Sequence, residues 1–157
     1  MTVEIVTIAD HPELVPGIAR WLWEEWGRAK GRTLETTVAR VASRKARIGP
    51  EQSVVLLDAG VPAGTASLLH DDLDDRPDLT PWLASVYVNP PFRGRGHSVR
   101  LVRAIERLAA ATVPSLWLQT STAVGLYARL GWVSVGNGVD HGTPVVIMQR
   151  DFIRSDL

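Results

Sequence analysis

The stretch from Leu83 to Ala111 constrains the fold more than any other. An apolar run, Leu83 to Val88, stops at Asn89-Pro90-Pro91, passes into Arg93-Gly94-Arg95-Gly96 and opens an amphipathic helix carrying Leu101, Val102, Ile105, Leu108 and Ala109. Proline has no N–H to give to a ladder, so the strand has to open where it meets Pro90. A strand that feeds a glycine loop and then a helix belongs to a mixed α/β sheet. The first helical turn leaves its N–H groups without intrahelical partners, and they converge in front of the loop. Glycine at 94 and 96 removes side chains that would hold an anion away, while Arg93 and Arg95 offer charge-assisted donors. The arrangement suits a phosphate; an ordinary arginine-flanked turn into a helix is the alternative.

Two familiar phosphate loops are excluded by the letters. The Walker pattern needs a lysine after its last glycine, and none lies nearby; the G-x-G-x-x-G pattern needs glycine at 99, where Val99 stands. A dinucleotide-binding domain would also place its loop after its first strand. Here two helices and a hairpin come first. Residues 3 to 8 read as an edge strand, and Asp10 with Glu13 as a helix start. Leu14, Ile18, Trp21, Leu22 and Trp26 then recur at helical spacing until Gly27. A second helix after Thr33 puts Leu34, Val38, Val41 and Ile48 on one face and is stopped by Gly49-Pro50. Ser53–Leu57 and Val61–Leu69 form a hairpin about Asp58-Ala59-Gly60. Downstream of the central unit come a strand at Ser115–Gln119, a short helix from Ala123 to Leu130, and a closing pair of strands at Trp132–Val135 and Val145–Gln149.

Bulk properties narrow the function. A chain of 157 residues, 45% hydrophobic, suits one domain with a sizeable core. Seventeen basic residues balance seventeen acidic ones, so no net charge draws the chain to nucleic acid or an anionic membrane. Cysteine is absent, which rules out an acyl-cysteine intermediate. The first ten residues lack a basic region followed by an apolar run, and no apolar stretch reaches the roughly 18 residues needed to span a bilayer. A cytoplasmic protein is the expectation.

The segment Leu83 to Ala111 resembles the coenzyme A binding motif of the GNAT superfamily of N-acetyltransferases, in which Gln or Arg is followed by two residues, Gly, one residue, and Gly or Ala. Arg93, Gly96 and Ser98 fill those positions, with serine as the departure, and Pro90 stands where the family often has proline. Leu126-Tyr127-Ala128-Arg129-Leu130-Gly131-Trp132 resembles the family's second cofactor motif; seven residues before the tyrosine, Thr120 replaces a frequent asparagine. The resemblance is specific from residue 83 to 132 and weak before 53. It implies an α/β, single-domain GNAT-like fold over residues 1–157, its mixed central sheet splayed at the cofactor strand and flanked by helices.

The same resemblance implies acetyl coenzyme A as co-substrate, with its pyrophosphate over Arg93, Gly94, Arg95, Gly96, His97 and Ser98 and a further contact at Thr120. Its pantetheine arm would pair with the central strand at Val86 and Val88. Val88 N–H is then the candidate donor to the oxyanion. Tyr127 is the candidate acid for the departing thiolate, since a phenol with a pKa of about 10 is protonated at neutral pH. The implied function is transfer of an acetyl group to a primary amine by direct attack in a ternary complex. A non-catalytic acyl coenzyme A sensor or scaffold is the alternative.

For the acceptor the letters offer less. Asp71, Asp72, Asp74 and Asp75 either attract a cationic amine or form a solvated turn; Glu24 and Glu25 are weaker candidates. Trp23 or Trp26, with the loop at 27 to 33, lines the acceptor site in the family-like reading. His70, His97 and His141 are too scattered for a metal, and none is expected. The partner is a small-molecule or peptide amine, with no nucleic acid and no membrane; a homodimer is left open.

Overall fold

The computed structural model describes residues 2–152. Its strands are β1 (Val3–Thr7), β2 (Gln52–Asp58), β3 (Val61–Leu69), β4 (Trp82–Val88), β5 (Ser115–Thr120), β6 (Val133–Asp140) and β7 (Thr143–Asp151). The helices are α1 (Val15–Leu22), α2 (Leu34–Ala42), α3 (His97–Ala110) and α4 (Val124–Arg129). One seven-stranded sheet runs β1-β2-β3-β4-β5-β7-β6. All neighbours in it are antiparallel except β4 and β5, which are parallel.

Side chains alternate between faces along a strand, and β2 is apolar at consecutive positions, so it has to be covered on both sides. Val54 and Leu56 join Leu101, Val102, Ile105 and Ala109 of α3 in one cluster. Val55 joins Ile18, Leu22 and Val41 of α1 and α2 in a second. The sheet is thus a middle layer, with α3 on one face and the first two helices on the other.

The first two helices are shorter than their periodicity suggests. After α1 the chain widens into a single π-type turn, Trp23–Gly27, closed by Arg28 N–H donating to Trp23 O at 2.8 Å. Helix α2 starts where Thr33 Oγ1 accepts from Thr36 N–H, but it ends at Ala42. Ile48, expected on its inner face, is 81% exposed. The cause is tertiary. Ser43 Oγ caps the Arg40 carbonyl at 2.6 Å, Arg44 enters the protein body, and Lys45 bridges to Gln52 at the start of β2. The closing strands run longer than expected, pairing out to Asp140 and Thr143 around His141-Gly142.

Two local irregularities open the sheet. Thr65 faces Tyr87 and Ser67 faces Ala84, so Ser85 and Val86 together oppose Ala66, a bulge in which Ser85 takes a φ of 56°. Beyond the bulge β4 leaves β5: the parallel pair shares a single register contact, Trp82 with Trp117.

Candidate active site

A cavity of about 740 Å³ lies where β4 and β5 part. Ser85 and Val86 of β4, Leu118 to Thr120 of β5, and Tyr127 of α4 line it. Asn89 N–H donates to Ala63 O at 2.8 Å, on the β3 side. Successive residues of a strand present their N–H and C=O to opposite edges, so those of Val88 face the side that β5 has vacated. There the Val88 carbonyl accepts from Arg93 Nε at 2.8 Å, and the Arg93 guanidinium lies 5.7 Å from the Tyr87 ring centre. Val86 shares that open edge one pleat earlier.

The glycine loop stands at the end of this edge. Gly94 and Gly96 both have φ of 79°, a left-handed conformation that L side chains resist. Gly96 is the N-cap of α3 and supplies no side-chain cap, so the N–H groups of His97, Ser98 and Val99 keep no intrahelical acceptor. Behind the loop Asp58, 3% exposed, accepts from Arg95 Nη1 at 2.8 Å and lies 2.9 Å from His97 Nε2. Those bonds, His97 first and Arg95 second, hold its carboxyl below the usual carboxylate range. Arg100 Nη1 adds a bond of 2.7 Å to the Arg95 carbonyl.

Arg95 donates Nη1 to Asp58 and Arg93 donates Nε to Val88 O, so each guanidinium is anchored by one nitrogen and keeps its other N–H donors beside the backbone N–H groups of the loop. The His97 side chain, 2% exposed, serves the same anchor.

Tyr127 is 8% exposed, with its ring edge-on to Trp132 at 6.2 Å. Burial pushes its phenol up to about 12, which keeps it protonated. Thr120 Oγ1 accepts from Ala123 N–H at 3.0 Å, tying the end of β5 to the start of α4 and leaving the Thr120 O–H as a donor. Tyr127, Thr120 and Val86 are therefore brought to one cavity from three elements.

The far side of the cavity is charged. Gln119 Nε2 reaches Asp72 Oδ2 at 3.3 Å and Asp140 Oδ2 at 3.1 Å, and Lys30 Nζ lies 3.1 Å from that same Asp140 oxygen. Burial, followed by the charge of Asp140, raises the Asp72 carboxyl to about 7. Burial works against Asp140 too, yet bonds from His141, Gln119 and Lys30 keep it low. Asp71 and Asp74 also line the cavity, whereas Asp75 does not. Of the aromatic candidates Trp26 lines it; Trp23 donates Nε1 to Arg32 O at 2.8 Å and stacks under Arg28. Glu25 lines it, and Glu24 sits in a surface pair with Arg20. Lys30 lies in the loop at 27 to 33 expected to line the acceptor site, whereas Gln119 and Asp140 were not foreseen. Gln119 alone carried a signal, as a polar residue following the buried Leu116 and Leu118 in a strand.

A mixed sheet prised open beside a glycine turn and an uncapped helix forms a cleft suited to an extended, phosphate-bearing ligand. The chain belongs to the Acetyltransferase (GNAT) family, whose sequence model matches residues 15–132. No curated protein sequence matches the chain. Among solved structures it is similar to an aminoglycoside 6'-N-acetyltransferase complexed with coenzyme A, at TM-score 0.74 and 14% identity over 98% of each chain. An aminoglycoside 6'-acetyltransferase type Ii gives 0.71 and 18%, again over 98% of each. The yncA protein of Salmonella typhimurium, solved with its cofactor acetyl-CoA, gives 0.64 and 18%, over 96% of this chain and 93% of the other. At these identities the likeness is one of fold. The residues present fit a coenzyme A thioester: the uncapped N–H groups of α3 suit its pyrophosphate, and the free edge of β4 suits an amide-bearing arm. Among the described residues no cluster of His, Cys, Asp or Glu could hold a metal ion, and no helix is long and apolar enough to cross a membrane.

Proposed function

We propose that the protein transfers the acetyl group of acetyl coenzyme A to a primary amine by direct attack in a ternary complex. The observation that carries this reading is that Val86, on the open edge of β4, lines one cavity together with Tyr127 and Asp72. The co-substrate supplies a thioester carbonyl; everything else is done by this chain's groups. Backbone N–H groups of residues 97 to 99 bind the pyrophosphate, and Val86 and Val88 pair with the pantetheine amides. An acceptor that enters as an ammonium ion gives a proton to Asp72, a carboxylate with its pKa near neutrality. The amine attacks the carbonyl carbon, and Val88 N–H stabilises the oxyanion. As the C–N bond forms and the C–S bond breaks, Tyr127 O–H protonates the leaving sulfur and regains a proton from the amide nitrogen or solvent. Each turnover yields an N-acetyl amide, coenzyme A thiol and one proton released from Asp72.

Support for an amine acceptor also comes from the two aminoglycoside acetyltransferases that share this fold. The test is calorimetric titration with acetyl coenzyme A, repeated with Gly96→Trp, followed by thiol release over a panel of amines. Binding that is lost in a folded Gly96→Trp, and turnover reduced about 10²- to 10⁴-fold in Tyr127→Phe, is the expected result. Binding without turnover of any amine would return the sensor or scaffold reading, and no binding would remove both.

A further inference from the structure

Arg44 is a buried charge with no ion-pair partner among the described residues. It follows α2 directly and is only 7% exposed. Its Nη1 donates to Ser67 Oγ at 3.2 Å and approaches Ser85 Oγ at 3.4 Å, and Ser67 Oγ is in turn 2.6 Å from Ser53 Oγ. These are neutral partners. Among the described residues no carboxylate lies within ion-pair distance of Arg44, and no hydrogen bond reaches its Nε or Nη2. Neither of those nitrogens is sealed off: the only unpartnered, fully enclosed side-chain atom among the described residues is Arg150 Nε. Burial, and then the charge of Arg40, pulls the guanidinium down to about 10, yet it remains a cation at neutral pH.

A buried guanidinium without an ion-pair partner is costly to keep, because the more distant charges of Glu51 and Asp72 repay its removal from water only in part. Its position shows what would repay it. Arg44 lines the same cavity as Val86 and Tyr127, beneath the Ser85 bulge, and Arg32 and Arg40 line that wall as well. None of these three arginines has an ion-pair partner among the described residues, while Asp72 and Asp140 are tied to each other through Gln119. The cavity therefore carries unpaired guanidinium cations and a linked pair of acids, with Asp72 within electrostatic reach of Arg44. With Nη1 engaged by serine, the free edge of Arg44 is its Nε–H and Nη2–H pair, two parallel donors matched to the two oxygens of a carboxylate.

Building on the acetyl-transfer reading, we infer that Arg44 recognises a carboxylate on the acceptor, which makes the acceptor a small amino carboxylate such as a free amino acid. The amine lies toward the Asp72 wall and the carboxylate toward Arg44. The acyl transfer is the one written above, with the acceptor's carboxylate unchanged.

The test measures thiol release from acetyl coenzyme A by the full chain with two matched sets of acceptors, the L-amino acids and their C-terminal amides. The expected result is at least one amino acid with kcat/KM about 10- to 100-fold above that of its amide, the range of one charge-assisted bidentate contact. In Arg44→Gln that ratio falls to about one, chiefly through KM. Arg44→Lys, which keeps the charge and loses the fork, gives an intermediate ratio and stands in should the glutamine variant fail to fold. Equal turnover of acids and amides, or a full preference surviving in either folded variant, overturns the inference while leaving acetyl transfer intact. Turnover of neither set by a protein that binds acetyl coenzyme A also overturns the inference; acetyl transfer stands if another amine of the panel releases thiol and falls with the inference if none does.

Discussion

Replacing Asp72 by asparagine separates the cost of this carboxylate from its use. In the folded protein its carboxyl sits at about 7, against an ordinary value of 3.8. The folded state thus holds the proton more tightly than the unfolded one. For an acid raised in this way, stability is greatest below the unfolded value and declines as pH rises, until the carboxylate is fully ionised above about 7. Each tenfold weakening of an acid corresponds to about 1.4 kcal/mol, so the displacement from 3.8 to about 7 sets a ceiling of about 4 kcal/mol. Asp72 is only half-buried and has Lys30 near its partner Asp140, so solvent and relaxation reduce the realised cost to about 1–2 kcal/mol.

Asparagine keeps a carbonyl oxygen for Gln119 and never ionises. Asp72→Asn should therefore melt about 3–8 °C above the native protein at pH 8, with the difference vanishing near pH 4. It should also lose about 10²- to 10⁴-fold in kcat/KM, and the native rise in rate near pH 7 should disappear from its profile. Calorimetric melting across that pH range and thiol-release kinetics check both halves. A melting difference that does not change with pH, or a variant less stable at pH 8, would refute the argument that burial has weakened this acid.

Asp58→Asn removes the anchor of the glycine loop from Arg95 and His97, and the expected outcome is weaker acetyl coenzyme A binding by calorimetry, by about tenfold. Because the Asp58 carboxyl is held low in the folded state, its contribution exists above the unfolded value and is lost as pH falls through the folded one, so native and variant melting temperatures should converge under strong acid. Gly64→Ala tests the cofactor strand from behind. A Cβ there would lie 2.8 Å from Tyr87 O and 2.9 Å from Leu101 Cδ1, so β4 or α3 has to shift, with a stability loss of about 1–3 kcal/mol by denaturant titration and weaker cofactor binding.

The elements that frame the proposed cofactor half were legible because they are local. Strand, proline stop, glycine turn and helix follow one another within Leu83 to Ala111, and the Thr120-to-Tyr127 connection is shorter still. The backbone groups concerned are fixed by the run of secondary structure itself, which is why β4 and α3 appear where the letters place them. The anchoring of the loop arginines was not legible, for the opposite reason. Nothing near Arg95 in the sequence points to Asp58, which reaches it from the end of β2.

The acceptor half has no continuous signature. Lys30, Asp72, Gln119 and Asp140 come from four separate segments, and Arg44 looked like one more turn of a helix whose last apolar residue was Ile48. Only the bridge from Lys45 to Gln52, which ends α2 early, sends Arg44 inward to the serines of β2, β3 and β4. The two halves also recognise by different means. In the proposed reading, backbone N–H groups at a strand edge and a helix start bind the co-substrate whatever side chains surround them. The acceptor would be met by side chains from loops, a helix end and the ends of strands, where substitution changes chemistry with little disturbance of the sheet. A fold built this way can keep one thioester site and exchange acceptors by altering a few distant residues. The identity of the acceptor therefore has to be sought in the charges of Arg44 and Asp72 rather than in the motif that identifies the family.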